Sequence, residues 1–222
     1  MKCWAKSVSD CCSTQSREHY ITKGLFDNKM LYVNNAPFLD GKSLEISKAS
    51  LTKKCLCKKH NEQLSIYDDE AIKFGRSLEY AMALSLERRN SNLKKFSVHK
   101  KVIQRERLTR WFIKTYLGLY EFFKYSSELD EEFLANLVYS NNKVSDFVTL
   151  NFTMTQGEDF QIKQVVSIAP IEEQGKTKGM QLELYGIRIQ GVFHSKKQTI
   201  SAPMKLKFNE HKQGLSCVIS IV

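Results

Sequence analysis

No apolar run in this chain approaches the roughly 20 residues that a membrane-spanning helix needs, so no transmembrane anchor and no membrane partner is expected. The opening stretch MKCWAKSVSD lacks the apolar segment of a secretory signal, and a cytoplasmic location is expected. There is no internal repeat and no low-complexity tract, which sets aside solenoids and biased linkers. Acidic side chains are scarce: 24 Asp and Glu stand against 34 Lys and Arg, leaving a formal net charge of +10. That excess favours a polyanionic partner, nucleic acid ahead of a membrane surface.

Apolar residues make up 42% of the 222 positions, enough for a real core and too many for extended disorder. The six cysteines, in a chain without a signal peptide, do not fit a disulfide framework. Five of them, Cys3, Cys11, Cys12, Cys55 and Cys57, fall in the first quarter. Clustering of that kind in a reducing compartment points to metal. Cys217 stands alone in an apolar run and reads as a buried core thiol.

Three regions follow from composition and period. Residues 1–68 read as loops, short strands and a small helix, too poor in apolar segments to hold themselves rigid without a structural metal. Residues 69–144 read as helical. DDEAIKFGRSLEYAMALSLERR puts Ile72, Leu78, Met82 and Leu86 near one face, and QRERLTRWFIKTYLGLYEFFKYS repeats at helical spacing through Leu108, Trp111, Phe112, Thr115, Leu119 and Phe122. ELDEEFLANLVYS predicts a shorter third helix. Residues 145–222 change to period two. FVTLNFTM alternates, and MQLELYGIRIQGVF alternates with a phase flip at Gly186 that predicts a bulge or bend. With MKLKF and LSCVISIV, these strands predict an antiparallel sheet of four or five strands. An exposed SCVISIV edge would offer a surface for a protein partner or a second copy of the chain.

In CLCKKHN, Cys57 and His60 are spaced as two ligands reaching one zinc ion from a tight turn, with Cys55 as a competitor for Cys57. The second pair has to come from Cys3 with Cys11 or Cys12, and the expected set is Cys3, Cys12, Cys57 and His60. A lopsided charge run comes next. Lys94, Lys95, Lys100, Lys101, Arg105, Arg107, Arg110, Lys114 and Lys124 face only Glu106 and Glu121. On a helix, Arg107, Arg110 and Lys114 share one side. Lys100, Lys101, Arg105, Arg107, Arg110 and Lys114 are the candidate phosphate-binding residues, against the plainer reading of a solvated helix face.

The segments CCSTQSREHYI and SLTKKCLCKKHNEQLSIYD together resemble the HNH-type, treble-clef zinc proteins of bacteria and their phages, over about residues 3–69. RERLTRWFIKTYLGL also resembles a helix that follows this module in many bacterial proteins. The resemblance implies an α+β fold: a small zinc-stapled ββα module, then helices, then the C-terminal antiparallel sheet. It implies a metal-dependent endonuclease acting on DNA rather than RNA, of the kind found in mobile elements and phage defence. His19 would be the general base, and Glu18 and Asn61 would ligate a catalytic Mg2+ or Mn2+. The chemistry suits those residue types. A histidine near neutrality takes a proton from water, and a hard divalent ion accepts carboxylate and amide oxygens. The sequence departs from the pattern in two places. Thr52 or a neighbour stands where the middle Asn is expected, and the first knuckle is wider. The alternative is a non-catalytic zinc-stapled module that binds nucleic acid or protein, with Glu18, His19 and Asn61 structural.

Overall fold

The computed structural model describes residues 3–89, 98–120, 126–127, 130–154, 165–198, 204–210 and 214–222. Lys94, Lys95, Glu121, Phe122 and Lys124 of the basic run lie outside the described residues. Strands β1 (Gln15–His19), β2 (Met30–Asn34), β3 (Leu44–Ser47) and β4 (Thr52–Cys57) precede helices α1 (Lys58–Gln63) and α2 (Ser65–Arg89). Strand β5 (His99–Ile103) leads into α3 (Arg105–Leu119), followed by β6 (Ser126–Ser127) and α4 (Glu131–Tyr139). The remainder is β7 (Val148–Met154), β8 (Val165–Glu173), β9 (Lys176–Leu184), β10 (Ile187–Phe193), β11 (Met204–Glu210) and β12 (Gly214–Ile221). The class is mixed α+β, with α2, α3 and α4 where the periodicity predicts them.

β1 and β4 pair antiparallel, from Gln15 opposite Cys57 to His19 opposite Thr52, and α1 starts directly after β4. This local ββα unit is stopped by Leu64, which separates α1 from α2. A second sheet runs β3-β2-β8-β9-β10-β7, with β6 beside β9, and a third runs β11-β12-β5. Two pairings cut across the expected regions. β2 lies parallel to β8, and β5, inside the stretch expected to be helical, lies parallel to β12. Parallel neighbours are joined by long crossovers, so no local turn signal announces them. The C-terminal strands therefore form parts of two mixed sheets instead of one antiparallel sheet.

The expected edge at SCVISIV is corrected in the same way. β12 is the middle strand of its sheet, hydrogen-bonded to β11 on one side and β5 on the other. The phase flip at Gly186 is a two-residue hairpin turn. Tyr185 and Gly186 have φ of 52° and 68°, and Leu184 faces Ile187 across the turn. Two left-handed residues give the turn a twist that matches the flanking strands. Tyrosine in the first position hides the usual Asn-Gly or Asp-Gly signature. Its ring is buried and stacks on Phe26 at 6.2 Å.

α3 is the spine of the core, buried at every position from Leu108 to Leu119. It packs against α2 and α4, and its Phe112 ring lies over β10 where Gly191 has no side chain. A Cβ on Gly191 would meet that ring at 2.0 Å, so the close approach requires glycine. α4 begins at Asp130, whose carboxylate accepts from the Phe133 N–H at 3.3 Å as an N-cap. Among the described residues no helix is long and apolar enough to cross a membrane.

Candidate metal centre and the Glu18 cluster

At one end of the β1–β4 pair, four side chains converge. Cys57 ends β4, His60 lies one turn into α1, and Cys3 and Cys11 come from the N-terminal coil. Their ligand atoms all lie within 4.8 Å of one another. His60 Nδ1 is 3.5 Å from Cys3 Sγ, 3.5 Å from Cys11 Sγ and 3.3 Å from Cys57 Sγ. A tetrahedral zinc with ordinary Zn–S and Zn–N bonds has S···N edges of about 3.6 Å. Three sulfurs and one imidazole at that spacing can hold a metal ion.

Backbone N–H groups support the sulfurs. Cys57 donates to Cys3 Sγ at 3.4 Å and His60 to Cys57 Sγ at 3.5 Å. Burial pushes the Cys57 thiol up, but the N–H of His60 and bonds from Cys12 outweigh it and lower the thiol overall. Desolvation and then Cys3 push the Cys11 thiol up to about 12. Crowded sulfurs that cannot all ionise alone are what a cation relieves. Burial, then Lys59, lowers His60, which favours the neutral ring a metal needs. The far side is covered by α4: Tyr139 donates its hydroxyl to the His60 carbonyl at 3.0 Å, with the two rings 4.9 Å apart.

The fourth ligand position corrects the sequence expectation. Cys11, not Cys12, belongs to the mutually close set. Cys12 lies beside Cys57 too, but its Sγ also contacts the Thr14 carbonyl and accepts from the Lys59 N–H, at 3.5 and 3.4 Å. Both adjacent side chains reach Cys57, and nothing in the spacing decides between them. Cys55 is a core thiol, pushed up to about 12 by burial and then by Glu18, and Cys217 is fully buried.

The other end of the strand pair holds Glu18 and His19. Consecutive strand residues face opposite sides. Glu18 turns inward, 5% exposed, into an ion pair with Lys114 of α3. Lys114 Nζ also lies 2.5 Å from Asp68 Oδ1 on the first turn of α2. The Thr22 hydroxyl donates to the same Asp68 oxygen, and Trp111 Nε1 donates to Thr22 Oγ1 at 2.8 Å. Burial pushes the Glu18 carboxyl up against the pull of Lys114. His19 is half-buried on the opposite face and is lowered by burial, then by Lys114 and Lys23.

Asn61 does not join Glu18. Its amide donates to Ser16 Oγ at 2.8 Å and to the Arg17 carbonyl at 3.1 Å, fastening α1 to β1. Glu18 and Asn61 are engaged with different partners, and His19 lies on the opposite face from Glu18. Among the described residues, the Cys3, Cys11, Cys57 and His60 group is the set of His, Cys, Asp and Glu side chains spaced for a metal.

The basic stripe is redistributed. Lys114 is 1% exposed, and Arg110 is buried with Nη2 donating to the Ser140 and Asn142 carbonyls at 3.2 and 2.7 Å. Both are structural cations, because α3 is enclosed on all sides. Lys100 and Arg107 are exposed, Arg105 is half-buried, and Lys101 Nζ sits 4.5 Å over the Tyr80 ring. A different cationic surface appears on the outer face of β1 and β4. Arg17 and Lys54 are exposed and directly opposite in the register, with His19 and Thr52 as the next pair. Sequence reading missed Asp68 as a partner of Lys114 and Thr22 as a partner of Asp68, and missed Arg17 beside Lys54; none of these carries a local signature.

No protein-family model, no curated protein and no solved structure matches this chain.

Proposed function

We propose that the chain is an HNH-like, treble-clef ββα protein, stapled by zinc through Cys3, Cys11, Cys57 and His60, that binds a nucleic-acid backbone without cutting it. The donor set supports zinc, since thiolates with one imidazole in a tetrahedral arrangement suit that ion. The observation that carries the binding reading is the Arg17–Lys54 pair. Arg17, which donates to Thr52 Oγ1 at 3.4 Å, stands opposite Lys54 on the exposed strand face, and like charges at opposite positions disfavour a sheet. A phosphate lying between them reverses the sign of that interaction. The net charge of +10 supports the same class of partner. DNA ranks ahead of RNA only through the family resemblance.

The test is filter binding to duplex DNA across a chloride titration. Arg17→Glu with Lys54→Glu is expected to weaken binding and reduce the salt slope by about 2, because fewer counterions are released. Reversing Lys100 and Arg107 is expected to change the slope less. An unchanged slope in the first variant removes the β1–β4 face from the reading.

A second reading, phosphodiester hydrolysis, is favoured by one observation. His19 is partly open and its pKa is lowered, which keeps the imidazole neutral and able to accept a proton. Glu18 speaks against it, since Lys114 holds the carboxylate that would meet the catalytic ion. Incubation with Mg2+ or Mn2+ and DNA or RNA decides: cleavage lost in His19→Ala at unchanged zinc content establishes hydrolysis, and no cleavage by wild type leaves binding.

A further inference from the structure

The sheet of β11, β12 and β5 has two unlike faces. The inner one is buried: Leu206 and Phe208 of β11 and Cys217, Ile219 and Ile221 of β12 lie on the side that α2 covers. His99 and Lys101 of β5 turn the same way, since both meet Tyr80 of α2. The Tyr80 hydroxyl is 2.9 Å from His99 Nδ1, and Lys101 Nζ stands 4.5 Å from the ring centre. Strand side chains alternate, so Lys100 and Val102 face outward. The register sets Lys207, Val218 and Lys100 in one row across the outer face, and Lys205, Ser220 and Val102 in the next. The three lysines are exposed, Val102 is 48% exposed, and Val98, just before β5, is 45% exposed. No acid stands in either row.

These properties restrict what can cover the face. A second copy of the chain brings the same lysines and the same net charge of +10, and is repelled. A phosphate backbone would engage the lysines but leave the valines in contact with charge and water. A bilayer suits them poorly, because short valines lying flush with a sheet do not reach the acyl boundary as Trp, Phe or Leu do. β12 and β5 run parallel, and parallel strands are ordinarily covered by helices on both faces. Here α2 covers one. A helix with its side chains is about 10–12 Å across, and the outer strands of a three-stranded sheet lie about 10 Å apart, so one helix matches the width.

We propose that the outer face of the β11–β12–β5 sheet docks an acidic amphipathic helix of a partner protein. The apolar stripe of that helix lies on Val218 and Val102. Its carboxylates meet Lys205 and Lys207 on one flank and Lys100 on the other. This surface is separate from the Arg17–Lys54 face and does not rest on nucleic-acid binding, so either can fail without the other.

The test is fluorescence anisotropy of the full chain with a labelled peptide of about 18 residues, five helical turns, built from Leu, Ala and Glu with one apolar stripe flanked by Glu. Wild type is expected to bind it, with a gain of peptide helicity, and to bind a scramble of the same composition about tenfold more weakly. Lys205→Glu with Lys207→Glu, and separately Val102→Asp, are each expected to lose about tenfold in affinity. Arg17→Glu with Lys54→Glu is expected to change it little. No binding by wild type, equal binding of the scramble, unchanged affinity in the lysine pair, or an equal loss in the Arg17 and Lys54 variant each overturns the proposal. A lysine pair that loses duplex DNA or phosphatidylserine vesicles while keeping the peptide overturns it as well. If Val102→Asp does not fold, the lysine pair, exposed on β11, decides alone.

Discussion

The two ends of the β1–β4 pair gather ionisable side chains from distant segments, and they balance charge in opposite ways. Near Gln15 and Cys57, three sulfurs and an imidazole meet, and Lys59, the cation that acts on His60, is itself paired with Asp10. Near His19 and Thr52, two carboxylates meet around Lys114. The difference teaches what each kind of donor set calls for. Soft donors converging within bonding reach of one ion can hold a metal, whereas hard donors already wrapped around an ammonium do not call for one.

The largest expected effect breaks the first end. Chelation, or Cys57→Ala, should release about one zinc per chain and unfold the N-terminal segments, since structural zinc contributes about 10 kcal/mol or more of folding energy. Elemental analysis beside circular dichroism measures both. Cys11→Ser should lose zinc affinity while Cys12→Ser keeps it; the reverse pattern would restore Cys12 as the ligand. At the other end, Lys114→Met should cost about 3–5 kcal/mol in urea unfolding, because buried Glu18 and partly buried Asp68 lose their partner. Adding Glu18→Gln should recover part of that loss, and a purely additive cycle would mean that the two side chains do not interact.

The smallest effect is in pH dependence. His19 has a lowered pKa, so below its usual value of 6.5 the unfolded chain binds a proton that the folded chain resists. Stability should therefore rise with pH up to about 6.5 and level off. His19→Asn should flatten part of that rise in melts between pH 5 and 7. An unchanged profile would assign the rise to other groups.

Much of this was legible in advance. Apolar periodicity marks α2, α3 and α4, and the spacing of Cys57 and His60 marks half of the metal centre. Both signals are local. Glu18 was not legible as a core residue, because its partner stands on α3 and brings no pattern near residue 18. Arg110 and Lys114 look like a solvent stripe when α3 is drawn alone. They become buried once α2, α4 and β10 surround it, and each then needs the carboxylate or carbonyl partners it has. Cys11 and Cys12 differ only in how the coil turns, which composition does not encode.

The parallel pairing of β2 with β8 also sets an order of assembly. Tyr32 meets Val165 and Asn34 meets Ser167, so the edge of β2 stays open until the chain has been made past β8. The ribosome adds about 5–20 residues per second, which leaves that edge waiting for roughly 7 to 28 seconds. During that interval the β2–β3 hairpin offers an unsatisfied strand to any other nascent chain. Contacts so far apart in sequence form slowly. Truncation before β8 would make the open edge permanent, and such fragments should aggregate even when their metal centre is complete.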